Sequence, residues 1–76
     1  MSRDVREIVR EEPLVRDRIL AALADGPHTV PEIAAAIGAD ERETMFWVMG
    51  MRKYGRLAEL PDATDEGYYP FQAVTP

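Results

Sequence analysis

Few residues in this sequence have the chemistry of a catalyst or a metal ligand. His28 is the only histidine, and it follows Pro27 in a predicted turn, where we interpret it as a surface side chain. A zinc site requires three or four converging ligands, and the sequence brings none to His28. Cysteine is absent, the acidic residues match no calcium-loop spacing, and the five glycines form no phosphate-binding loop. The sequence therefore predicts no catalytic residue, no metal site and no cofactor, and we interpret the chain as a non-enzyme.

Residues 41–54 instead carry side chains suited to surface recognition. Helical spacing places one set toward the core: Thr44, Trp47, Val48, Met51 and Tyr54. The opposite side holds Arg42, Met45, Phe46, Met49 and Lys53. Methionine and aromatic side chains with few charges are typical of the centre of protein interfaces. We therefore predict that this second set binds a protein partner or a second copy of the chain.

That assignment depends on the helical phase. If the phase is displaced by one position, Met45, Phe46 and Met49 pack beneath the first helix or the N-terminal extension instead. Trp47 is predicted at the edge of the core with its indole N–H near the surface. Gly50, inside the helix, either permits the close approach of another backbone, from the second strand or a partner, or is a tolerated defect.

The composition limits the class of protein. A length of 76 residues and a formal net charge of -5 predict one small acidic domain. A domain of this size buries only about 60% of the surface of its unfolded chain, which leaves little room for a deep catalytic cleft. No apolar run approaches the roughly 20 residues that a membrane span needs, and the first residues lack a secretory signal. We therefore expect a cytoplasmic protein with no membrane partner.

Proline and glycine divide the first half of the chain. Residues 1–12 carry Val5, Ile8 and Val9 at helical spacing and are predicted to form an N-terminal amphipathic helix, with residues 13–76 as the remaining domain. Pro13 suits the first turn of a new helix, since its missing N–H costs nothing there. Gly26 then ends that helix.

Two further helices are predicted before residue 55. Pro31 suits the first turn of a short helix that ends at Gly38. Asp40 and Glu43 have the spacing of a capping box, which predicts a longer helix from about residue 41 to Tyr54.

A hairpin of two strands is predicted at the C-terminal end, over residues 56–60 and 68–74. Tyr69 and Phe71 share one face of the second strand and are expected to close the core, while Tyr68 points the other way. Pro70 cannot donate a ladder hydrogen bond, so this strand is predicted to lie at an edge of the sheet.

This order of elements resembles a winged helix-turn-helix domain. Residues 29–38 look like the second helix and turn of regulators of the arsenic-sensor and MarR type, and residues 54–57 look like the exit of their third helix into the wing. The resemblance covers residues 14–74. It implies a mainly α fold with a small β-hairpin: three core helices, an N-terminal helix and a two-stranded wing. In MarR-like proteins extra terminal helices build the dimer, which implies homodimerisation here, although the helix over residues 1–12 could also fold back on its own domain.

The resemblance also implies DNA binding, with the third core helix in the major groove. A basic set supports this role: Arg42, Arg52, Lys53 and Arg56. Residues 57–76, however, contain four acidic residues and no lysine or arginine, so phosphates would repel the wing. We therefore predict a regulatory, non-catalytic winged-helix module that binds a protein, with a DNA-binding transcriptional regulator as the alternative.

Overall fold

A computed structural model describes residues 3–74 of the chain, and those residues form a mainly helical fold with a two-stranded antiparallel hairpin. The elements are α1 (Val5–Arg10), α2 (Glu12–Ala22), α3 (Val30–Ile37), α4 (Glu41–Lys53), β1 (Leu57–Glu59) and β2 (Phe71–Ala73). Helix count, order and the hairpin agree with the sequence prediction. Within residues 3–74, no helix combines the length and the apolar character required to cross a bilayer.

Side-chain caps fix the starts of three helices. The Asp4 carboxylate accepts a hydrogen bond from the Arg6 amide at the start of α1. A full capping box begins α3, in which the Thr29 hydroxyl and the Glu32 side chain each accept the other residue's backbone N–H. At α4 half of the predicted capping box forms, because the Asp40 carboxylate accepts the Glu43 amide at 3.1 Å. The carboxylate of Glu43 instead forms an ion pair with Arg3.

A single buried cluster joins all four helices and both strands, and α4 packs against each of the other three helices and β1. Four of the five α4 residues predicted to face the core are buried: Thr44, Trp47, Val48 and Met51. The prediction for the fifth, Tyr54, is wrong. Its side chain is 72% exposed, since α4 ends at Lys53 and Tyr54 is its C-terminal cap.

The N-terminal helix folds back on its own domain. Ile8 is fully buried, and the Trp47 indole N–H donates a hydrogen bond to the Ile8 carbonyl oxygen. The expectation of a surface indole N–H is therefore wrong, because α1 covers it. Arg3 forms ion pairs with both Glu11 and Glu43, which ties the segment before α1 to the start of α4. The division of the chain into an N-terminal helix over residues 1–12 and a domain over residues 13–76 stays a prediction.

Gly50 provides close contact between α4 and α2. A methyl group added at Gly50 would lie 2.6 Å from a carboxylate oxygen of Glu12. The close neighbour is therefore a side chain of α2, and neither the second strand nor a partner is needed to explain this glycine. Glu12 is held there by a 2.7 Å ion pair with Arg16.

The hairpin is joined to the helices at Phe71. In the β1–β2 ladder Glu59 pairs with Phe71, and on the other side of β2 the backbone of His28 exchanges two hydrogen bonds with Phe71, at 3.0 and 2.8 Å. The sheet has two strands, so β2 lies at its edge as predicted, and the isolated bridge to His28 covers that edge at Phe71. Pro70 is tolerated because it precedes the ladder, where its carbonyl oxygen accepts the Leu60 N–H.

Candidate functional site

The outer side of α4 is divided into two parts. Met45 and Met49, which are 50% and 37% exposed, turn toward the hairpin. Phe46 is half-buried and packs against the core, with the Arg42 guanidinium 5.2 Å from its ring centroid. The five residues predicted for partner binding therefore do not form one uniform apolar face. Phe46 combines surface exposure with a structural contact, and its role in binding stays a prediction.

Met45 and Met49 form one wall of a concave site that we call the hairpin groove. Its open volume is about 170 Å³. Val30 and Phe71 belong to the buried core and form its floor. The complete lining is Val30, Glu41, Met45, Met49, Glu59, Gly67, Tyr68, Tyr69 and Phe71.

The hairpin loop supplies the wall opposite the methionines. Its turn is ordered by hydrogen bonds from the Thr64 amide to the Tyr68 carbonyl oxygen, at 2.8 Å, and from the Gly67 amide to the Thr64 carbonyl oxygen, at 2.9 Å. Gly67 has φ of 89°, a left-handed conformation that glycine adopts without strain. Because these bonds fix the loop internally, both tyrosines are held at the groove while remaining partly solvent-exposed.

Tyr69 does not close the core as predicted, since its side chain is 47% exposed. Only Phe71 of that predicted pair is buried, because the regular strand begins at Phe71 and the alternation of faces does not extend back to Tyr69. Tyr68, at 41% exposure, joins Tyr69 in the groove wall.

The charges that line the groove are negative. Glu41 begins α4 and Glu59 ends β1, and both contribute to the lining. The Arg52 guanidinium approaches Glu59 to 3.8 Å and partly neutralises it. The groove therefore combines apolar walls with an acidic rim.

The four residues of the predicted nucleic-acid set are all exposed, but their surroundings differ. Arg42 lies over Phe46, and the Lys53 ammonium lies 5.8 Å from the centroid of the Tyr54 ring. Arg52 faces Glu59. Arg56 lines a separate shallow hollow with Leu20, Tyr54, Gly55 and Val74.

The titratable groups with shifted pKa values lie away from the groove walls. Hydrogen bonds from the backbone and the hydroxyl of Thr29 lower the pKa of Glu32. A 3.0 Å hydrogen bond with the half-buried His28 ring lowers the pKa of Asp25. The hydrogen bond to Glu43, followed by that to Glu11, raises the pKa of Arg3. These shifts follow from helix capping and surface pairing. Across residues 3–74, no three histidine or acidic side chains come together as a metal ion would require.

Sequence reasoning identified one wall of the groove and missed the other. Met45 and Met49 were predicted as binding residues, but Tyr68, Tyr69 and Glu59 were not. The adjacent tyrosines indicate that at least one aromatic ring lies outside the core, because two consecutive side chains of a regular strand point to opposite faces. The return of the hairpin loop over α4 is a tertiary contact that no local pattern encodes.

No family model matches this chain, and no curated protein sequence matches it. Among solved structures, human N-acetylserotonin methyltransferase in complex with SAM is similar, with a TM-score of 0.64 and 18% sequence identity. The match covers 92% of this chain and 19% of the methyltransferase chain, so this chain spans about a fifth of that enzyme's length. At this identity the likeness concerns the fold. The observed helices and hairpin are compatible with a winged helix.

Proposed function

We propose that this chain is a non-catalytic, regulatory winged-helix module that docks on a protein partner through the hairpin groove and the adjoining outer side of α4. One observation carries the proposal. Met45 and Met49 remain exposed opposite Tyr68 and Tyr69, around a hollow whose floor is already formed by the core.

The groove residues are those expected at the centre of a protein interface. Tyrosine and methionine are enriched there, because they provide large contact areas that adapt to a partner surface. The flanking cations Arg42 and Lys53 lie over aromatic rings and would form part of a polar rim. The exposed parts of Met45, Met49, Tyr68 and Tyr69 add nothing to the stability of the fold. Contiguous exposed apolar surface of this kind commonly marks an interaction site.

The winged-helix assignment rests on the order of elements and on the fold match. A helix-turn-helix formed by α3 and α4 leads into a hairpin that returns to contact α4. In the similar methyltransferase the matching segment is about a fifth of a longer chain, which supports a module that works beside other protein domains.

DNA binding remains the second candidate, because Arg42, Arg52, Lys53 and Arg56 are all exposed at or near α4. Affinity for duplex DNA depends on the number of phosphates that cations neutralise. The proximity of Arg52 to Glu59 and the four carboxylates of the hairpin segment reduce that contribution. Protein docking is therefore the better-supported function.

The test compares two variants of the exposed apolar surface. In the groove variant Met45→Gln and Met49→Gln are combined, which removes apolar character while retaining side-chain length and helix propensity. The control is Leu14→Gln, which changes an exposed apolar residue of α2 that does not line the groove. We expect wild type and Leu14→Gln to retain the same protein from native lysate, and the groove variant to lose it.

A salt titration with mixed-sequence duplex DNA distinguishes the two candidate functions. Protein docking predicts no duplex binding at low ionic strength. Binding that weakens steeply as salt rises, and that is lost in Arg42→Ala and Lys53→Ala but retained in the groove variant, would instead establish the DNA-binding alternative.

A further inference from the structure

Resting on the proposed function, we infer that the hairpin groove receives a positively charged protein segment, which inserts one large apolar side chain between the methionine wall and the tyrosine wall. Groove size, groove charge and the rigidity of its walls each support this inference independently.

The volume of the groove fits one large side chain. A cavity of about 150 Å³ lined by apolar side chains binds benzene. The open volume here, about 170 Å³, is of the same size, and its floor of Val30 and Phe71 is apolar. A phenylalanine or leucine side chain would bury the exposed surfaces of Met45 and Met49 on one side and of Tyr69 on the other.

The charges around the groove favour a cationic segment. Glu41 and Glu59 belong to the lining, and residues 57–76 contain Glu59, Asp62, Asp65 and Glu66 without a lysine or arginine. A lysine or arginine next to the inserted side chain would meet the carboxylates of Glu41 and Glu59, of which Glu59 also faces Arg52 at 3.8 Å. Tyr68 and Tyr69 are also partly exposed in the groove wall, and aromatic rings attract cations.

The walls are formed before any partner binds. Thr64 orders the loop that carries the tyrosines, and the His28–Phe71 hydrogen bonds attach the hairpin to the helices. A preorganised site loses little conformational entropy on binding, so a short segment is sufficient to occupy it.

A set of three amphipathic peptides of 14 residues tests the inference. The first has lysines around a central phenylalanine, the second replaces every lysine with glutamate, and the third replaces the phenylalanine with alanine. Binding is followed through the methyl NMR signals of the methionines. Met45 and Met49 report on the groove, and the fully buried Met51 serves as an internal control.

We expect the lysine–phenylalanine peptide to shift the Met45 and Met49 signals and to bind about tenfold more tightly than the glutamate peptide, since two rim ion pairs together supply such a factor. The alanine peptide should bind at least about tenfold more weakly as well, because it lacks the large apolar side chain that the groove would bury. Combining Glu41→Gln with Glu59→Gln should remove most of the preference for lysine. The matched control Glu7→Gln, on the exposed side of α1, should leave it unchanged.

Three results would overturn the inference. The glutamate peptide could bind as tightly as the lysine peptide, the shifts could fall outside the groove, or no peptide could bind. Sedimentation equilibrium provides a further test, because a dimer disrupted by the groove variant would mean that a second copy occupies the groove. In each case the proposed function is judged separately, by whether the groove variant loses the protein retained from lysate.

Discussion

The two flanks of α4 differ in how completely they are covered. On the closed flank, Glu43, Trp47 and Gly50 contact α1, α2 or the segment before them. On the open flank, Met45 and Met49 face the hairpin across a gap and stay partly exposed. Both flanks belong to one helix of 13 residues, so the difference does not come from local secondary structure.

The contrast separates residues that maintain the fold from residues available for binding. The closed flank contributes hydrogen bonds and buried area to folding, whereas the open flank holds apolar surface that folding leaves in water. We therefore expect substitutions on the closed flank to change stability and those on the open flank to change binding with little effect on stability.

The largest effect is expected at Trp47. Trp47→Ala should lower the free energy of unfolding by about 3–5 kcal/mol, because it removes a large buried side chain and its hydrogen bond to Ile8. Urea denaturation followed by far-ultraviolet circular dichroism measures this change without relying on the fluorescence of the replaced residue.

Trp47→Phe is the control for the hydrogen bond. It retains an aromatic ring, and the Ile8 carbonyl oxygen still accepts the Glu11 amide, so a smaller loss of about 1 kcal/mol from the missing bond is expected. A loss of less than 1 kcal/mol for Trp47→Ala would mean that α1 does not cover this flank in solution.

Three methionines of α4 provide the next comparison. Met51→Gln places an amide among fully buried apolar neighbours and should cost about 2–4 kcal/mol. The same change at Met45 or Met49 should alter the free energy of unfolding by less than about 0.5 kcal/mol. Chemical denaturation of the three variants under one set of conditions checks the order. Similar losses at all three positions would contradict the division of the helix into two flanks.

The sequence was sufficient to predict the closed flank in part and, on the open flank, the outward-facing Met45 and Met49 but not the hairpin wall opposite them. Apolar periodicity identified Thr44, Val48 and Met51 as core residues, because burial along a helix repeats with its turn. The exposure of Tyr54 and the buried indole N–H of Trp47 were missed. Both depend on where α4 ends and on where α1 lies, which are matters of tertiary packing.

The groove was harder to predict for a similar reason. Its second wall comes from a loop about twenty residues after the methionines, and the loop conformation depends on its own turn hydrogen bonds. Hydrophobic periodicity describes one element at a time and says nothing about the distance between two of them.

Acidification tests the floor of the open flank, where Val30 lies within the capping box formed by Thr29 and Glu32 at the start of α3. The folded-state pKa values of Glu32 and Asp25 are lowered, so their stabilisation is complete above the unfolded-state pKa values and is lost as pH falls through the folded-state values. The free energy of unfolding should therefore decrease below about pH 4.5.

Glu32→Gln should weaken that pH dependence and lower stability at pH 7, as urea denaturation between pH 3 and pH 7 would measure. The reference is Glu66→Gln on the exposed hairpin. An equal flattening by both changes would assign the effect to overall charge instead of the capping box.

The smallest effect is expected for Gly50→Ala on the closed flank. Alanine gains about 1 kcal/mol of helix propensity, but its methyl group must displace the Glu12 carboxylate from its ion pair with Arg16. The two contributions should leave the free energy of unfolding within about 0.5 kcal/mol of wild type.

Removing the Glu12 carboxylate isolates the gain in helix propensity from the steric cost. In a Glu12→Ala background the same change at Gly50 should stabilise the chain by about 1 kcal/mol, as measured by thermal or urea denaturation. The absence of any gain in that background would show that something other than Glu12 limits the space at Gly50.

The paired hydrogen bonds between His28 and Phe71 have a consequence for motion. They connect the residue before the α3 cap to the first residue of β2, so the hairpin cannot swing away from α4 without breaking main-chain bonds. Hydrogen exchange at these two amides should consequently be as slow as in the core helices, and much slower than at the turn amide of Gly67. A force applied to the hairpin by a bound partner would then be transmitted along the backbone to the start of α3.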